Sequence, residues 1–382
     1  MSELSRFVTV WSALQARVES GRLPGYAAAV RHHGEVEVHT GGCLTRGRPE
    51  PVCPDSLFRL SSLTKPFAGA LTLSLAESGV LALDEPIDRW LPEFAEPRVL
   101  AHRGADLDDT VPAQRPITVR HLLTSTPGFG ALWDGSPLDQ AVYAAGVGPG
   151  PLPPELPAEE FTALLAALPL AAQPGERWLY HVSSEVLAVL LARATGRPLP
   201  ELLAERVTGP LGLPSTGWWA RDARRLTTAY QPDGERLTVL DPADGVAARP
   251  PVFVGLATGL VSTAAETLTF LTALADGGGP VLGPASVAAM TADALTAEQR
   301  ADAAMMLAPG RSFGMQVGVD PDPELAGLAG AAPGRWGWDG GTGVTGWVDP
   351  DADLVAVLLT NRGMAGPEDG LDWFWRALYR CL

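Results

Sequence analysis

The sequence has few cysteines and few basic residues, and both shortages restrict the function. Cys43, Cys53 and Cys381 form no CxxC pair and have no metal-ligand spacing, so we expect three reduced side chains and no bound metal. The chain of 382 residues carries 44 acidic residues against 28 basic ones, for a net charge of −16, and no stretch collects the basic ones. Nucleic acid and anionic membrane surfaces are therefore not expected as partners.

Long apolar runs are also missing. The longest, residues 161–172, is too short to span a bilayer and is interrupted by Pro169. The first twenty residues show no charged segment followed by a long apolar run. They have apolar residues at helical spacing instead, namely Phe7, Trp11, Leu14 and Val18. This pattern predicts an amphipathic helix, a protein without a membrane anchor, and a cytoplasmic location.

Lysine is the rarest charged residue, since the sequence has 27 arginines and one lysine, Lys65. A GC-rich coding bias accounts for the arginines but leaves open why one lysine is kept here. Lys65 follows Ser62 by three residues, so on a helix the amine and the hydroxyl share a face. Pro66 is tolerated only in a first helical turn, which predicts that Ser62 lies near a helix N-terminus. Backbone N–H groups there favour negative charge developing on the serine oxygen.

This spacing suits nucleophilic catalysis. A serine hydroxyl is a weak nucleophile until a neighbouring base takes its proton. A lysine can be that base if burial lowers its pKa from about 10.4 toward neutrality. An arginine cannot, because it stays protonated. We therefore predict that Ser62 is a nucleophile and Lys65 its base, whereas an exposed lysine that lies near a serine by chance is the alternative.

The order of the predicted elements indicates an α+β protein. Strands are predicted at 26–31 and 35–40, and again at 313–319, 335–339, 345–348 and 354–360. Helices are predicted at 61–77, 119–123, 158–168, 184–195 and 370–379. We expect an antiparallel sheet flanked by terminal helices, with an inserted all-α lobe. The sheet domain would comprise residues 1–60 and 245–382, and the helical lobe 61–244, with the active site in the cleft between them.

With Ser62-x-x-Lys65 as its first motif, the chain resembles serine β-lactamases and penicillin-binding proteins, in particular their class C-like branch. The resemblance covers roughly residues 24–362. The segments that carry it are 83–92, 117–128, 174–180, 210–213 and 259–263. It implies a β-lactamase/transpeptidase-like fold, an acyl-enzyme mechanism and no cofactor.

The family's second motif carries a tyrosine that moves protons between the nucleophile and the leaving group, and the matching residue is Tyr180. Next to a cationic Lys65 we expect the pKa of this phenol to be lowered. β-Lactamases and peptidases of the branch usually have Tyr-x-Asn, whereas this chain has Val182 at the third position. An apolar residue at the third position of this motif resembles the pattern of the esterases called family VIII. The resemblance therefore implies Val182 and His181 as substrate-binding residues, although a lone histidine is more often structural.

The third motif is usually Lys-Thr-Gly or His-x-Gly, and the matching stretch contains Trp338, Asp339, Gly340 and Gly341. A cation in this motif grips the carboxylate of a β-lactam or peptide, and its loss costs about 1.5–3 kcal/mol of binding. We therefore expect neutral substrates that contact Trp338, Asp339 and Gly340. By family analogy, the backbone N–H groups of Ser62 and Gly341 form the oxyanion hole.

The sequence therefore predicts a serine hydrolase that acts on a small-molecule ester or amide, most closely resembling a carboxylesterase on small neutral esters. Alternatives on the same fold are an amidase or D-aminopeptidase, a β-lactamase and an acyltransferase. A non-catalytic scaffold or binding module is the alternative from another class, and the intact set of Ser62, Lys65 and Tyr180 argues against it. The sequence does not indicate an oligomeric state.

Overall fold

A computed structural model describes residues 5–366 and 369–382 of the chain. The helices are α1 Val8–Glu19, α2 Lys65–Glu77, α3 Val119–Leu123, α4 Pro137–Ala144, α5 Ala158–Ala166, α6 Val182–Thr195, α7 Leu199–Leu203, α8 Ala264–Ala275, α9 Pro284–Met290, α10 Ala297–Asp302 and α11 Asp372–Tyr379. In the described ranges, every helix is too short or too polar to span a bilayer.

The strands are β1 Gly25–His32, β2 Glu35–Gly42, β3 Phe58–Arg59, β4 Arg98–Leu100, β5 Thr110–Pro112, β6 Ala229–Asp233, β7 Arg236–Asp241, β8 Val261–Ser262, β9 Ser312–Phe313, β10 Gly318–Asp320, β11 Arg335–Gly340, β12 Val344–Asp349 and β13 Leu354–Thr360. Seven of them form one antiparallel sheet in the order β2-β1-β13-β12-β11-β10-β9. The first and last parts of the chain therefore meet where β1 pairs with β13.

Helices cover both faces of this sheet. Gly346 of β12 faces α8, since a Cβ added there would lie 2.9 Å from a methyl group of Leu271. The neighbouring residue of the same strand, Thr345, faces the other way and accepts a 2.9 Å hydrogen bond from Trp375 of α11. α1 packs against β2 and α11. The predicted antiparallel sheet with terminal helices is thus observed, and the division of the chain at residues 60 and 244 stays a prediction.

Two sequence predictions need correction. The strand predicted over 313–319 is interrupted, because Gly314 donates to the carbonyl of Val317 at 2.8 Å and closes a turn. The turn places the buried amide of Gln316 against the carbonyls of Leu122 and Leu123, at 3.0 and 3.2 Å, and thus ties the sheet edge to α3. The helix predicted over 61–77 begins with a tighter 3₁₀ turn, Ser61–Thr64, before α2.

Candidate active site

Ser62 lies in the 3₁₀ turn that leads into α2, with Pro66 in the first turn of that helix as predicted. The residue before it, Ser61, has φ +45, a left-handed conformation that a non-glycine residue rarely adopts. Ser62 lines a cleft of about 610 Å³ together with Tyr180, His181, Trp338 and Gly341. The tight turn therefore presents the Ser62 hydroxyl to a cleft that is large enough for a small ligand.

Lys65 is the group placed to take the proton of Ser62. Its Nζ lies 3.3 Å from Ser62 Oγ, donates to the carbonyl of Ala257 at 2.9 Å, and sits 4.4 Å from the centre of the Tyr180 ring. The side chain is fully buried, and this burial lowers the pKa of Lys65 to about 7. Burial therefore favours the neutral form of this lysine, which is the form that can accept a proton.

A buried carboxylate, Glu185, accompanies this lysine. Its Oε2 accepts the backbone N–H groups of Leu256 and Ala257 at 2.9 and 3.3 Å, and the carbonyl of the same Ala257 accepts from Lys65. Burial raises the pKa of Glu185, while the negative charge of this carboxylate raises the pKa of Lys65 and so offsets part of the effect of burial on the lysine. One residue, Ala257, therefore holds base and carboxylate in a fixed arrangement through its N–H and its carbonyl.

Gly255 makes room for this arrangement. A Cβ added to Gly255 would clash with the carboxylate of Glu185. The carbonyl of Gly255 accepts a 2.6 Å hydrogen bond from the ring N–H of Trp218. The segment 255–257 can therefore wrap closely around the carboxylate. The sequence analysis missed Glu185, although a single acidic residue within the apolar helix α6 was a usable signal.

Tyr180 contradicts one expectation from the sequence. Burial of the phenol raises its pKa, and hydrogen bonds with Ser62 and Trp338 offset only part of that rise. The prediction that a cationic Lys65 would lower the pKa of Tyr180 is wrong, because the tyrosine is fully buried and the lysine itself loses its proton near neutrality. Tyr180 therefore keeps its proton at neutral pH and is placed to donate it, whereas Lys65 is the residue placed to accept a proton.

Trp338 positions this tyrosine. The Nε1–H of Trp338 donates to Tyr180 Oη at 2.6 Å. The phenol can therefore donate its own hydrogen to Ser62. Asp339, the next residue of β11, accepts from the Trp347 ring at 2.9 Å and lies 3.6 Å from the Arg311 guanidinium. The charge of Asp339 is therefore partly balanced, which reduces the repulsion between this carboxylate and an anionic substrate.

We expect Trp338→Phe to lower kcat by about tenfold, because removal of one hydrogen bond to the proton-carrying phenol costs about 1–1.5 kcal/mol in the transition state. Steady-state hydrolysis of a p-nitrophenyl ester measures the effect. Trp336→Phe is the matched control on the same strand, since Trp336 is buried and lies away from Tyr180. Equal losses in the two variants would contradict the positioning role.

Two residues that line the cleft, Ser62 and Gly341, carry the backbone N–H groups of the predicted oxyanion hole. Across residues 5–366 and 369–382, neither Ser62 N–H nor Gly341 N–H donates a hydrogen bond to the protein. A Cβ added to Gly340 would clash with the carbonyl of Leu60, so the glycine allows β11 to approach the nucleophile turn closely. These donors remain available for an oxyanion, which supports the prediction made from the family pattern.

The predicted substrate-binding residues separate into two groups. Trp338, Asp339 and His181 line the cleft, whereas Gly340 and Val182 do not. Val182 is 1% exposed and faces a small apolar cavity with Phe129 and Leu138. Val182 therefore packs in the protein interior and does not line the cleft as predicted, because the start of α6 turns this side chain away from the cleft.

The remaining cleft wall is largely apolar. Three of its residues, Met305, Met306 and Met364, were not predicted from the sequence. The one cation on the wall among the described residues, Arg311, is held by Asp320 at 2.8 Å and by Asp339 at 3.6 Å. Asp372 adds a carboxylate at the far wall. Within the described ranges, no group of three or more histidine, cysteine or acidic side chains is arranged to hold a metal.

A serine beside a buried lysine and a tyrosine, in a cleft that Ser62 and Gly341 line with N–H groups unpaired within the described residues, is the arrangement of a serine hydrolase that works through an acyl-enzyme. The model of the beta-lactamase family matches residues 11–380, and the chain belongs to that family. The β-lactamase/transpeptidase-like fold and the serine hydrolase class predicted from the sequence are thereby confirmed.

Among similar proteins, Protein Rv1367c of Mycobacterium tuberculosis is 38% identical over 81% of this chain and 78% of its own length. Esterase EstB of Burkholderia gladioli is 33% identical over 91% of this chain and 88% of its own length. The solved structure of EstCE1, described as a hydrolase with promiscuous acyltransferase activity, superposes with a TM-score of 0.85 at 26% identity, covering 98% of both chains.

Proposed function

We propose that the protein is a carboxylesterase that hydrolyses small neutral esters through an acyl-enzyme on Ser62. The observation that carries the proposal is the contact of Ser62 Oγ with the buried Lys65 amine at 3.3 Å, beside a tyrosine that keeps its proton. The similarity to Esterase EstB over most of both chains supports an ester as the substrate.

The proposed reaction has two halves. Neutral Lys65 takes the proton of Ser62 as its oxygen attacks the ester carbonyl, and the negative charge that develops is held by the N–H groups of Ser62 and Gly341. Tyr180 supplies a proton to the leaving alcohol and regains one from Lys65. Water then attacks the acyl carbon, its proton returns to Ser62 by the same route, and the acid leaves.

The walls of the cleft support a neutral substrate. A carboxylate on the substrate would need a free cation, and Arg311 is already shared between Asp320 and Asp339. The apolar wall formed by Trp133 and the methionines favours an aliphatic or aromatic acyl group. These features argue against a β-lactam or a peptide carboxylate as the preferred substrate.

Acyl transfer is the second candidate, in which an alcohol or amine takes the place of water. The superposition with EstCE1 favours it, since that hydrolase is described as having promiscuous acyltransferase activity. The largely apolar cleft also favours acyl transfer, because water has few polar groups to bind there.

The cytoplasmic location of the protein stays a prediction from the sequence.

Labelling with a fluorophosphonate probe tests the nucleophile. We expect intact-mass analysis to show one added phosphonyl group on the wild type and none on Ser62→Ala, because the probe reacts only with an activated serine. Ser61→Ala is the matched control, since it removes the adjacent hydroxyl from the same turn, and it should still be labelled. An unlabelled wild type, or a labelled Ser62→Ala, would overturn the assignment.

Turnover of a series of p-nitrophenyl esters and of a chromogenic cephalosporin tests the substrate class. We expect the short neutral esters to be hydrolysed and the cephalosporin to be inert. Rapid cephalosporin hydrolysis with inert esters would favour the β-lactamase alternative over the esterase.

A further inference from the structure

His181, which follows Tyr180, has a strained backbone. Its φ and ψ are +79 and −67, and the N–H of Val182 donates to the carbonyl of Tyr180 at 3.1 Å. Together these features define a three-residue γ-turn of the rare, strained kind. Such conformations persist where the surroundings fix them, and they concentrate at active sites. The turn brings the side chains of two consecutive residues, Tyr180 and His181, to the same cleft.

The imidazole of His181 is largely buried, yet it has no hydrogen-bond partner in the part of the chain that the structure describes. It is 5% exposed, and its ring meets the Tyr180 ring at 73° with 5.9 Å between centres. Within residues 5–366 and 369–382, neither ring nitrogen makes a hydrogen bond, yet neither is among the fully enclosed unpaired polar atoms of these ranges. The polar edge of the ring is therefore reached from the cleft that His181 lines, where a ligand can supply the partner.

The protonation state of this ring limits what it can do. Burial, and secondarily the charge of Lys65, hold the pKa of His181 well below its ordinary value. The ring is therefore neutral, with one nitrogen that donates and one that accepts. A base this weak does not compete with Lys65 for protons, which leaves hydrogen bonding as its contribution.

The position of His181 indicates which ligand group it meets. The acyl oxygen occupies the space beside the N–H groups of Ser62 and Gly341, while the leaving alcohol must lie near Tyr180, which protonates it. By microscopic reversibility, the water or alcohol that releases the acyl group approaches along the path of the leaving alcohol. A polar side chain adjacent to Tyr180 is therefore placed to contact the incoming hydroxyl.

We propose that His181 forms the acyl-acceptor subsite, where its imidazole holds the hydroxyl group of the water or alcohol that attacks the acyl-enzyme. This proposal rests on the proposed acyl-enzyme function. The bound hydroxyl oxygen attacks the acyl carbon, its proton passes through Tyr180 to the Ser62 oxygen, and the bond between acyl carbon and Ser62 breaks. His181 itself exchanges no proton in the net reaction.

Pre-steady-state kinetics of a p-nitrophenyl ester test the proposal, because the burst reports acylation and the steady state reports deacylation. His181→Phe keeps a ring without nitrogens, His181→Gly relieves the backbone strain, and His181→Asn keeps a polar group that tolerates positive φ. Each variant is measured in water alone and with added methanol, and the ratio of methyl ester to acid is determined.

We expect the Phe and Gly variants to acylate within about threefold of wild type, because p-nitrophenolate is a good leaving group that departs without help from a hydrogen bond at this subsite. They should deacylate at least about tenfold more slowly, as for one transition-state hydrogen bond lost. The ester-to-acid ratio should change in both, and the Asn variant should retain part of the rate. If Phe does not fold, as judged by thermal melting, Gly decides the result.

Two outcomes would overturn the proposal. Deacylation at the wild-type rate with an unchanged product ratio would show that His181 does not bind the acyl acceptor. Equal losses in acylation and deacylation would show that His181 has only a structural role. A wild type that gives no burst and takes no fluorophosphonate label would instead refute the acyl-enzyme function, so the two failures can be distinguished.

Discussion

Replacing Lys65 by arginine is expected to reduce acylation of Ser62 by at least about a thousandfold. The substitution keeps a positive charge but removes the base, because a guanidinium does not give up its proton at any ordinary pH. General-base catalysis is worth about 10²–10⁴-fold, and protonated arginine also leaves the serine proton without an acceptor. Fluorophosphonate labelling rates and the burst with a p-nitrophenyl ester measure the loss.

Two further variants separate the base from packing, since Lys65 is fully buried and arginine is larger. Lys65→Met fills similar space without a charge and should be equally inactive, with a melting temperature that shows whether the fold is kept. Lys65→Ala should regain part of its activity when ethylamine is added, and the gain should rise with pH as the free amine is formed. Labelling of Lys65→Arg at more than a tenth of the wild-type rate would contradict the assignment.

The pair Ser62 and Lys65 could be predicted from sequence because it depends on local geometry, a spacing of three residues at the start of a helix. Tyr180 was found through a family pattern. The pKa of Tyr180 was predicted wrongly, because burial depends on Trp338 and the sheet, which lie far away in the sequence. The effect of a neighbouring charge was anticipated, and the larger effect of desolvation was not.

Features that depend on contacts between distant parts of the chain were also not predicted from the sequence. Glu185 matters for the lysine only because residues 255–257 wrap around it. The predicted strand at 313–319 is interrupted because the amide of Gln316 binds Ser184 of α6 as well as carbonyls of α3. In both cases a buried polar side chain makes hydrogen bonds to a segment more than seventy residues away. Hydrophobic periodicity carries no information about such pairings.

Removal of the Glu185 charge is expected to shift the pH dependence of acylation. Only neutral Lys65 accepts the serine proton, so in the wild type the rate should rise with pH through the pKa of this lysine, which burial lowers, and should level off above it. The negative charge of Glu185 raises the pKa of Lys65. In Glu185→Gln the lysine should therefore lose its proton at a lower pH, and the rising part of the profile should move to more acidic values. A weaker base should also lower the plateau.

The pH profile of kcat/KM for a p-nitrophenyl ester measures this shift directly. Glu266→Gln is the matched control, because Glu266 also accepts a backbone N–H, that of Ser215 at 3.0 Å, but lies outside the cleft. Its profile should coincide with that of the wild type. A Glu185→Gln profile that moves toward alkaline pH would contradict the sign of the coupling. A lower rate with an unchanged profile would mean that the carboxylate acts only by fixing residues 255–257, since a purely structural contact does not change the pH at which the lysine titrates.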